Sequence, residues 1–362
     1  MKRYGIKSAI ALIIVLTAVA GCKGKDMSKG NATGVNAPEF PEYGPDRWIN
    51  SEPLTMEGLK GKIVLIDFWE YTCVNCIRTL PYVTEWYRRY ADHGLVIIGV
   101  HTPEFEFGKD RANVARAVRE FGIEYPVVLD NDYEIWRAYA NRYWPRKYIV
   151  NADGKIVYDH AGEGDYAETE KVIQSLIREL EPDADLPAVM EPVRPEDVAG
   201  AVCYPRTPEL YCGYARANYG NDEVYPEETR SYTDRSTHTE GHVYLSGSWR
   251  LGEERATYRG DSFDENGYLL IPYSANEVNA VMDAPEGETV RLYVYRDGAP
   301  LAAEEVGADV TVDADGSWID VSVGKMYKIL NAPEYGSGEL SLRPAGPGLS
   351  IYAFTFGSCE VE

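Results

Sequence analysis

Basic residues are scarce in this chain. Lys and Arg number 36 against 58 Asp and Glu, and the formal net charge is −22. Nucleic acid and anionic bilayer surfaces repel such a chain, so neither is an expected partner, and the charge favours solubility. A second ligand pair is also lacking. The one Cys-x-x-Cys pair, Cys73 and Cys76, has no further cysteine or histidine pair nearby, and His93 and His101 stand alone. A structural zinc site needs four ligands, so redox chemistry is the stronger reading and no metal or other cofactor is expected. The apolar run at residues 8–20 is too short to cross a bilayer as a mature helix, and no other run is long enough. Phenylalanine is sparse, 8 against 28 tyrosines, which fits many half-exposed aromatic positions. A length of 362 residues suggests two domains, or three, each with its own core.

What is present centres on residues 63–81. Ile63 to Ile66 reads as a buried strand and runs through Asp67 into an aromatic turn, Phe68 to Tyr71. Cys73 and Cys76 then open a helical pattern, one turn apart on one face. The helix N-terminus favours a thiolate there, which makes Cys73 the attacking thiol and Cys76 the resolving one. Asp67 is unusual at the end of a buried strand, and Pro81 would kink the helix. Strand, acid, Phe-Trp, Cys-x-x-Cys and proline at these offsets resemble the thioredoxin family.

The chain begins with a short basic stretch, residues 1–7, and an apolar stretch, Ser8 to Ala20, ending in Val19-Ala20-Gly21-Cys22. This reads as an export signal over 1–21 and resembles the lipobox of bacterial lipoproteins. The resemblance implies cleavage before Cys22 and lipidation of its thiol. The protein is then expected outside the cytoplasm, in the periplasm or at the cell surface, lipid-anchored to a bacterial membrane. Residues 22–47, rich in Gly, Asn, Lys and Pro, read as a flexible tether.

Residues 48–181 read as one α/β unit. Strands are expected at Leu95 to Val100, Tyr125 to Leu129, the stretch after Pro145, and Ile156 to His160, with a closing helix from Tyr166 to Leu180. The extra helix and strand between His101 and Leu129 resemble the central insertion of the TlpA/ResA-type subclass, extracytoplasmic thiol–disulfide oxidoreductases. The wording is similar to the thioredoxin part of DipZ-type proteins: Asp67-Phe-Trp, Cys73-Val-Asn-Cys76, Val100-His-Thr-Pro-Glu104, Asn141-Arg-Tyr-Trp-Pro145 and Gly162-Glu-Gly-Asp-Tyr166. These resemblances imply a cis bond at Trp144–Pro145 facing the cysteines. DipZ-type chains usually carry an N-terminal membrane electron-transfer domain, where this one has only the lipoprotein-like signal. The resemblance therefore implies a separate membrane electron donor of the CcdA type. Residues 182–206, with Pro182, Pro187, Pro192 and Pro195, read as a linker.

From residue 207 to 362 helical periodicity gives way to short alternating runs: Val243 to Trp249, Tyr268 to Ile271, Val278 to Met282, Val290 to Arg296, Ile319 to Val323 and Ser350 to Phe356. These predict an all-β sandwich, jelly-roll-like. Thr207-Pro-Glu-Leu-Tyr, Asn218-Tyr-Gly and Tyr352 to Gly357 resemble the domain that follows thioredoxin in DipZ-type proteins, similar in fold to carbohydrate-binding modules. Tyr268, Tyr273, Tyr293 and Tyr295 could line a sugar face, though ordinary sandwich surface is the stronger reading. His238 and His242 lie in a polar loop and read as solvated. First and last strands of a sandwich often lie side by side, so a Cys203–Cys359 staple is expected, with Cys203–Cys212 as the alternative.

The expected activity is thiol–disulfide exchange on protein disulfides. Asp67 would take the proton of Cys76. Trp69, Tyr71 and Trp144 would form an apolar rim for the partner, with Pro145 beside it. Glu70, a second acid near the pair, would tune it or simply be solvated. A reductase is the leading reading; an oxidase or isomerase uses the same residues in reverse. Thr72 and Arg78 do not make an adequate peroxide site. A different class remains open, a surface binding lipoprotein whose β-domain carries the biology.

Overall fold

Seven consecutive residues, Ile63–Trp69, are buried, which requires cover on both faces of the strand they form. The cover comes from helices on either side of a six-stranded sheet. In the computed structural model, which describes residues 34–235 and 237–360, the first half runs β1 (Trp48–Ile49), β2 (Ile63–Trp69), α1 (Val74–Tyr90), β3 (Leu95–His101), α2 (Arg111–Glu120), β4 (Val127–Leu129), α3 (Glu134–Ala138), β5 (Arg146–Val150), β6 (Ile156–Ala161) and α4 (Tyr166–Leu180). The strand order is β1-β4-β3-β2-β5-β6. β2, β3 and β4 are parallel, while β1, β5 and β6 run antiparallel to their neighbours. Alternation sorts β2 between two cores. Ile63, Leu65 and Trp69 join Val83, Trp86 and Ile173 of α1 and α4. Val64, Ile66 and Phe68 join Phe40, Ile135 and Tyr139. The expected export signal and Cys22 lie outside the described residues.

Two stretches that composition reads as loose chain are packed. Within the expected tether, Gly34 N–H donates to Ile156 O at 3.2 Å and Ala37 N–H to Gly154 O at 2.9 Å. Phe40 is 5 % exposed and meets Trp48 edge-on at 6.0 Å. A few apolar side chains among the polar residues suffice to plug the lower face of the sheet. Within the expected linker, Leu186 and Met190 pack on the α1/α4 core. Val193 N–H donates to Tyr82 Oη at 2.8 Å, and Tyr82 Oη donates to Asp197 at 2.7 Å.

The second half is an all-β sandwich of eleven antiparallel strands. Its frame is one long pair, Tyr268–Asp283 against Lys325–Pro344. The first part of Tyr268–Asp283 also pairs with Tyr244–Leu251, and the second part with Ser350–Gly357. The ladder slips between them. Ala275 faces Gly336 but Glu277 faces Asn331, so residues 332–335 bulge out. The expected separate strands at 268–271 and 278–282 are therefore one strand bent between layers. Lys325–Pro344 was not among the expected strands; its Pro333 sits in the bulge, where no ladder N–H is needed. Trp249, Tyr258, Leu292 and Phe354 meet in the core. Cys203 and Cys359 face each other on paired strands and form a disulfide, while Cys212 is a buried free thiol, pushed far up by burial.

The halves touch at the start of α1. Phe105 and Phe107 pack on Tyr352 at 5.1 and 4.8 Å, with Val74 and Ile77 beside them. Arg78 pairs with Glu277 at 2.8 Å, and Arg116 donates to Gly324 O at 2.9 Å. Among the described residues no helix is long and apolar enough to cross a membrane.

Candidate active site

Cys73 is the N-cap of α1. The amide of Cys76 donates to its Sγ at 3.3 Å, so the sulfur occupies the place that a serine or aspartate side chain takes at other helix starts. Both thiols are free; Cys73 is half-buried and Cys76 buried. Burial first, then the hydrogen bond and charge of Cys73, push the Cys76 thiol well up. α1 continues through Pro81.

Beneath the pair lies a buried acid. Asp67 is 1 % exposed, and one of its carboxylate oxygens has no hydrogen-bond partner among the described residues. Burial raises its pKa to about 6 against the opposing pull of Lys147. Lys147 faces Asp67 across the β2–β5 ladder, is fully buried, and is itself pushed down by burial. Sequence reasoning missed this lysine. A lysine is almost never fully buried unless paired, and only the register that sets position 147 against position 67 reveals the pair. Gly99 sits beside Asp67 on the β3 side; a Cβ there would lie 2.9 Å from Trp69 Nε1 and 3.1 Å from Tyr125. No side chain fits at that point.

The aromatic rim is smaller than expected. Trp69 is 0 % and Tyr71 2 % exposed. β2 extends through Trp69, which alternation turns into the helix-side core, and Tyr71 stacks on His101 at 5.5 Å. Neither faces a partner. Glu70 is not solvated either. It is buried, accepts from the Thr72 amide at 2.6 Å, also binds the Thr72 hydroxyl, and lies 3.7 Å from His101 Nε2. Its role is to hold the turn before Cys73.

Trp144 does reach the site. The Trp144–Pro145 bond is cis, Trp144 Nε1 donates to Thr102 O at 3.1 Å, and its ring lies 4.3 Å from Trp136. Cys73 and Trp144 line one cleft of ≈ 250 Å³. Glu104, at the same cleft, pairs with Arg216 of the sandwich at 2.7 Å; burial, then the nearby Glu209, raise it to about 7. In the sandwich, Tyr273 is buried in the core, so it cannot belong to a sugar face. His238 is held between Asp234 at 2.9 Å and Glu339 at 2.8 Å rather than solvated.

Residues 34–176 match the Redoxin family, and residues 207–357 match the family described as Thioredoxin like C-terminal domain. The chain is similar to Protein DipZ of Mycobacterium bovis, 34% identical over 314 residues, which is 86% of this chain and 41% of that protein. It is similar to the thiol-disulfide oxidoreductase ResA of Bacillus thuringiensis, 24% identical over 173 residues, 47% of this chain and 95% of that protein. A solved thiol-disulfide isomerase from Corynebacterium glutamicum is 25% identical with a TM-score of 0.36, covering 39% of this chain and 97% of that one. Residues 34–176 are thus a thioredoxin-like domain, and the chain resembles thiol–disulfide oxidoreductases of the DipZ and ResA type. It spans 41% of the length of the DipZ relative it matches.

Proposed function

We propose that the chain reduces disulfides of extracytoplasmic proteins through Cys73 and Cys76. The observation that carries this reading is the free dithiol at the mouth of α1, with the Cys76 amide on Cys73 Sγ and a buried acid below. Cys73 thiolate attacks one sulfur of the substrate disulfide, forms a mixed disulfide, and expels the other sulfur as a thiolate, which takes a proton. Cys76 gives its proton to the Asp67 carboxylate and attacks Cys73 Sγ. That attack breaks the mixed disulfide and expels the second substrate sulfur as a thiolate, which takes a proton in its turn, so the substrate leaves with two thiols and the chain holds the Cys73–Cys76 disulfide. A carboxyl titrating at about 6 is largely ionised at neutral pH and ready for that proton. A membrane dithiol donor of the CcdA type would restore the pair, and Cys22 would carry the lipid that keeps the protein beside it.

The reduction potential of the Cys73–Cys76 couple tests the direction. A value near about −270 mV supports a reductase, and one near about −120 mV makes the chain a disulfide donor. Loss of membrane association in Cys22→Ser tests the anchor; a variant that stays with the membrane fraction removes it from the reading.

A further inference from the structure

Cys73 does not open onto a free surface. One wall of its cleft is Val74, Glu104 and Trp144; the other is Thr207, Tyr211 and Phe356 of the sandwich. The cleft is smaller than the pockets of about 300–1,000 Å³ that take drug-sized molecules, and the surface of a folded partner cannot enter it.

The sandwich wall contains a gap in its sheet. Strand Ser350–Gly357 pairs along one edge with Tyr268–Asp283 as far as Gly357. Along the other edge it pairs with Leu210–Tyr211 at only two residues, Phe354 and Ala353. Cys212 N–H donates to Tyr352 O at 2.7 Å at one end of that edge, and Tyr204 N–H donates to Ser358 O at 3.0 Å at the other. Successive residues of an antiparallel strand turn their N–H and C=O to opposite edges, so residues 352, 354, 356 and 358 share this one. Between these contacts the register slips by two residues, from Phe354 facing Leu210 to Cys359 facing Cys203, and the intervening Thr207 N–H turns away to Ser274 O at 3.1 Å. Pro208 has no N–H to offer, and among the described residues no backbone hydrogen bond continues the ladder at Phe356. The ladder is therefore unpaired at one residue, and that residue, itself 3 % exposed, lines the cleft that holds Cys73. Exposed Arg206 lines this cleft and also an adjoining hollow of ≈ 260 Å³ that reaches Arg78 and Glu277.

We propose that the sandwich is the second jaw of the substrate site: the disulfide reaches Cys73 on a single extended polypeptide segment that passes between the two halves and adds to the unpaired sheet edge at Phe356. A slot with a free strand edge in one wall binds extended backbone through main-chain hydrogen bonds. The inference rests on the reading of Cys73 as the attacking thiol.

The test uses the prereduced full chain in single turnover, with two oxidants: an unstructured linear peptide carrying one disulfide, and bis(2-hydroxyethyl) disulfide, too short to touch both walls. Each substrate disulfide takes two electrons from the Cys73–Cys76 dithiol. Arg206→Trp obstructs the cleft from an exposed position, and Pro208→Ala gives the neighbouring segment an N–H that can compete for the unpaired backbone of Phe356. For Arg206→Trp the second-order rate constant with the peptide falls about tenfold or more, while that with the small disulfide stays within about twofold. Pro208→Ala lowers the peptide rate in the same selective way by a smaller factor. Peptide rates within about twofold of the unchanged chain in both variants, or equal losses for the two oxidants, overturn the second jaw. Inactivity of the unchanged chain toward both oxidants overturns the redox reading itself, and the jaw with it.

Discussion

Cys73 and Cys76 stand three residues apart at a helix mouth, whereas Cys203 and Cys359 are separated by 156 residues and staple two facing strands. In the chain-entropy picture, bonding the first pair closes a four-residue loop and constrains the unfolded chain by about 2 kcal/mol; bonding the second constrains it by about 5 kcal/mol. In the proposed reaction the first pair can therefore open and close with little consequence for folding, and what surrounds it is an amide on one sulfur, a buried carboxyl below and a cleft in front. The second pair has the larger hold on stability and joins the two ends of the sandwich. The same bond takes its role from the length of chain it encloses and from the groups around it.

Exchanging the two roles is the largest test of that contrast. Cys73→Ser is expected to lower disulfide reduction by at least about 10³-fold, with stability changed little. The double variant Cys203→Ser, Cys359→Ser should instead keep its rate with a small disulfide within a few-fold and lose about 3–5 kcal/mol in urea unfolding. A loss of turnover in the second variant without a loss of stability would erase the distinction. Cys76→Ser sharpens it: the mixed disulfide at Cys73 should accumulate and be seen as an added substrate mass in intact-protein mass spectrometry.

Next in size is Asp67→Asn, expected to slow attack by Cys76 about 10²-fold while stabilising the fold. Asp67 has its folded-state pKa raised from 3.8 to about 6. Below pH 3.8 it is protonated in both states and contributes nothing. As pH rises from there to about 6, the unfolded chain gives up the proton first, so the folded state loses stability. Above that it stays lower by roughly 3 kcal/mol at most. Asp67→Asn should therefore gain stability at pH 8, the gain shrinking with Lys147 left alone, and none at pH 3.5; a gain independent of pH would refute the burial argument. The smallest effect belongs to Glu104. Its charge appears as pH rises through about 7. The rate ratio of a lysine-flanked peptide to an uncharged one should rise by about two- to threefold across pH 6–8, and Glu104→Gln should flatten it.

The order of elements in the first half and the position of the thiols could be read from local pattern, because Ile63 to Pro81 carries its own signals of strand, turn, cap and breaker. What was not legible was set by pairing across the chain. Lys147 is explained only by its place opposite Asp67. Trp69 and Tyr71 look like a rim because they precede the cysteines, yet strand alternation and the His101 stack bury them. The bent pair Tyr268–Asp283 and Lys325–Pro344 hides its continuity behind a bulge. Nothing local announces that Phe356, 283 residues after Cys73, lines the same cleft.

Gly34 joins the molecule beside Ile156, where β6 starts. β5 runs antiparallel to β2, with Val150 beside Val64 and Arg146 beside Phe68. The point of attachment thus lies at the start of β2, and the thiols lie past its finish, about 20 Å away along seven residues of strand. In mechanical terms, a molecule held there and reacting at Cys73 would be held at one pole and work at the other. Fixed to a support through residue 34, it would keep its slot turned to the solution, like a pair of tongs gripped by the handle.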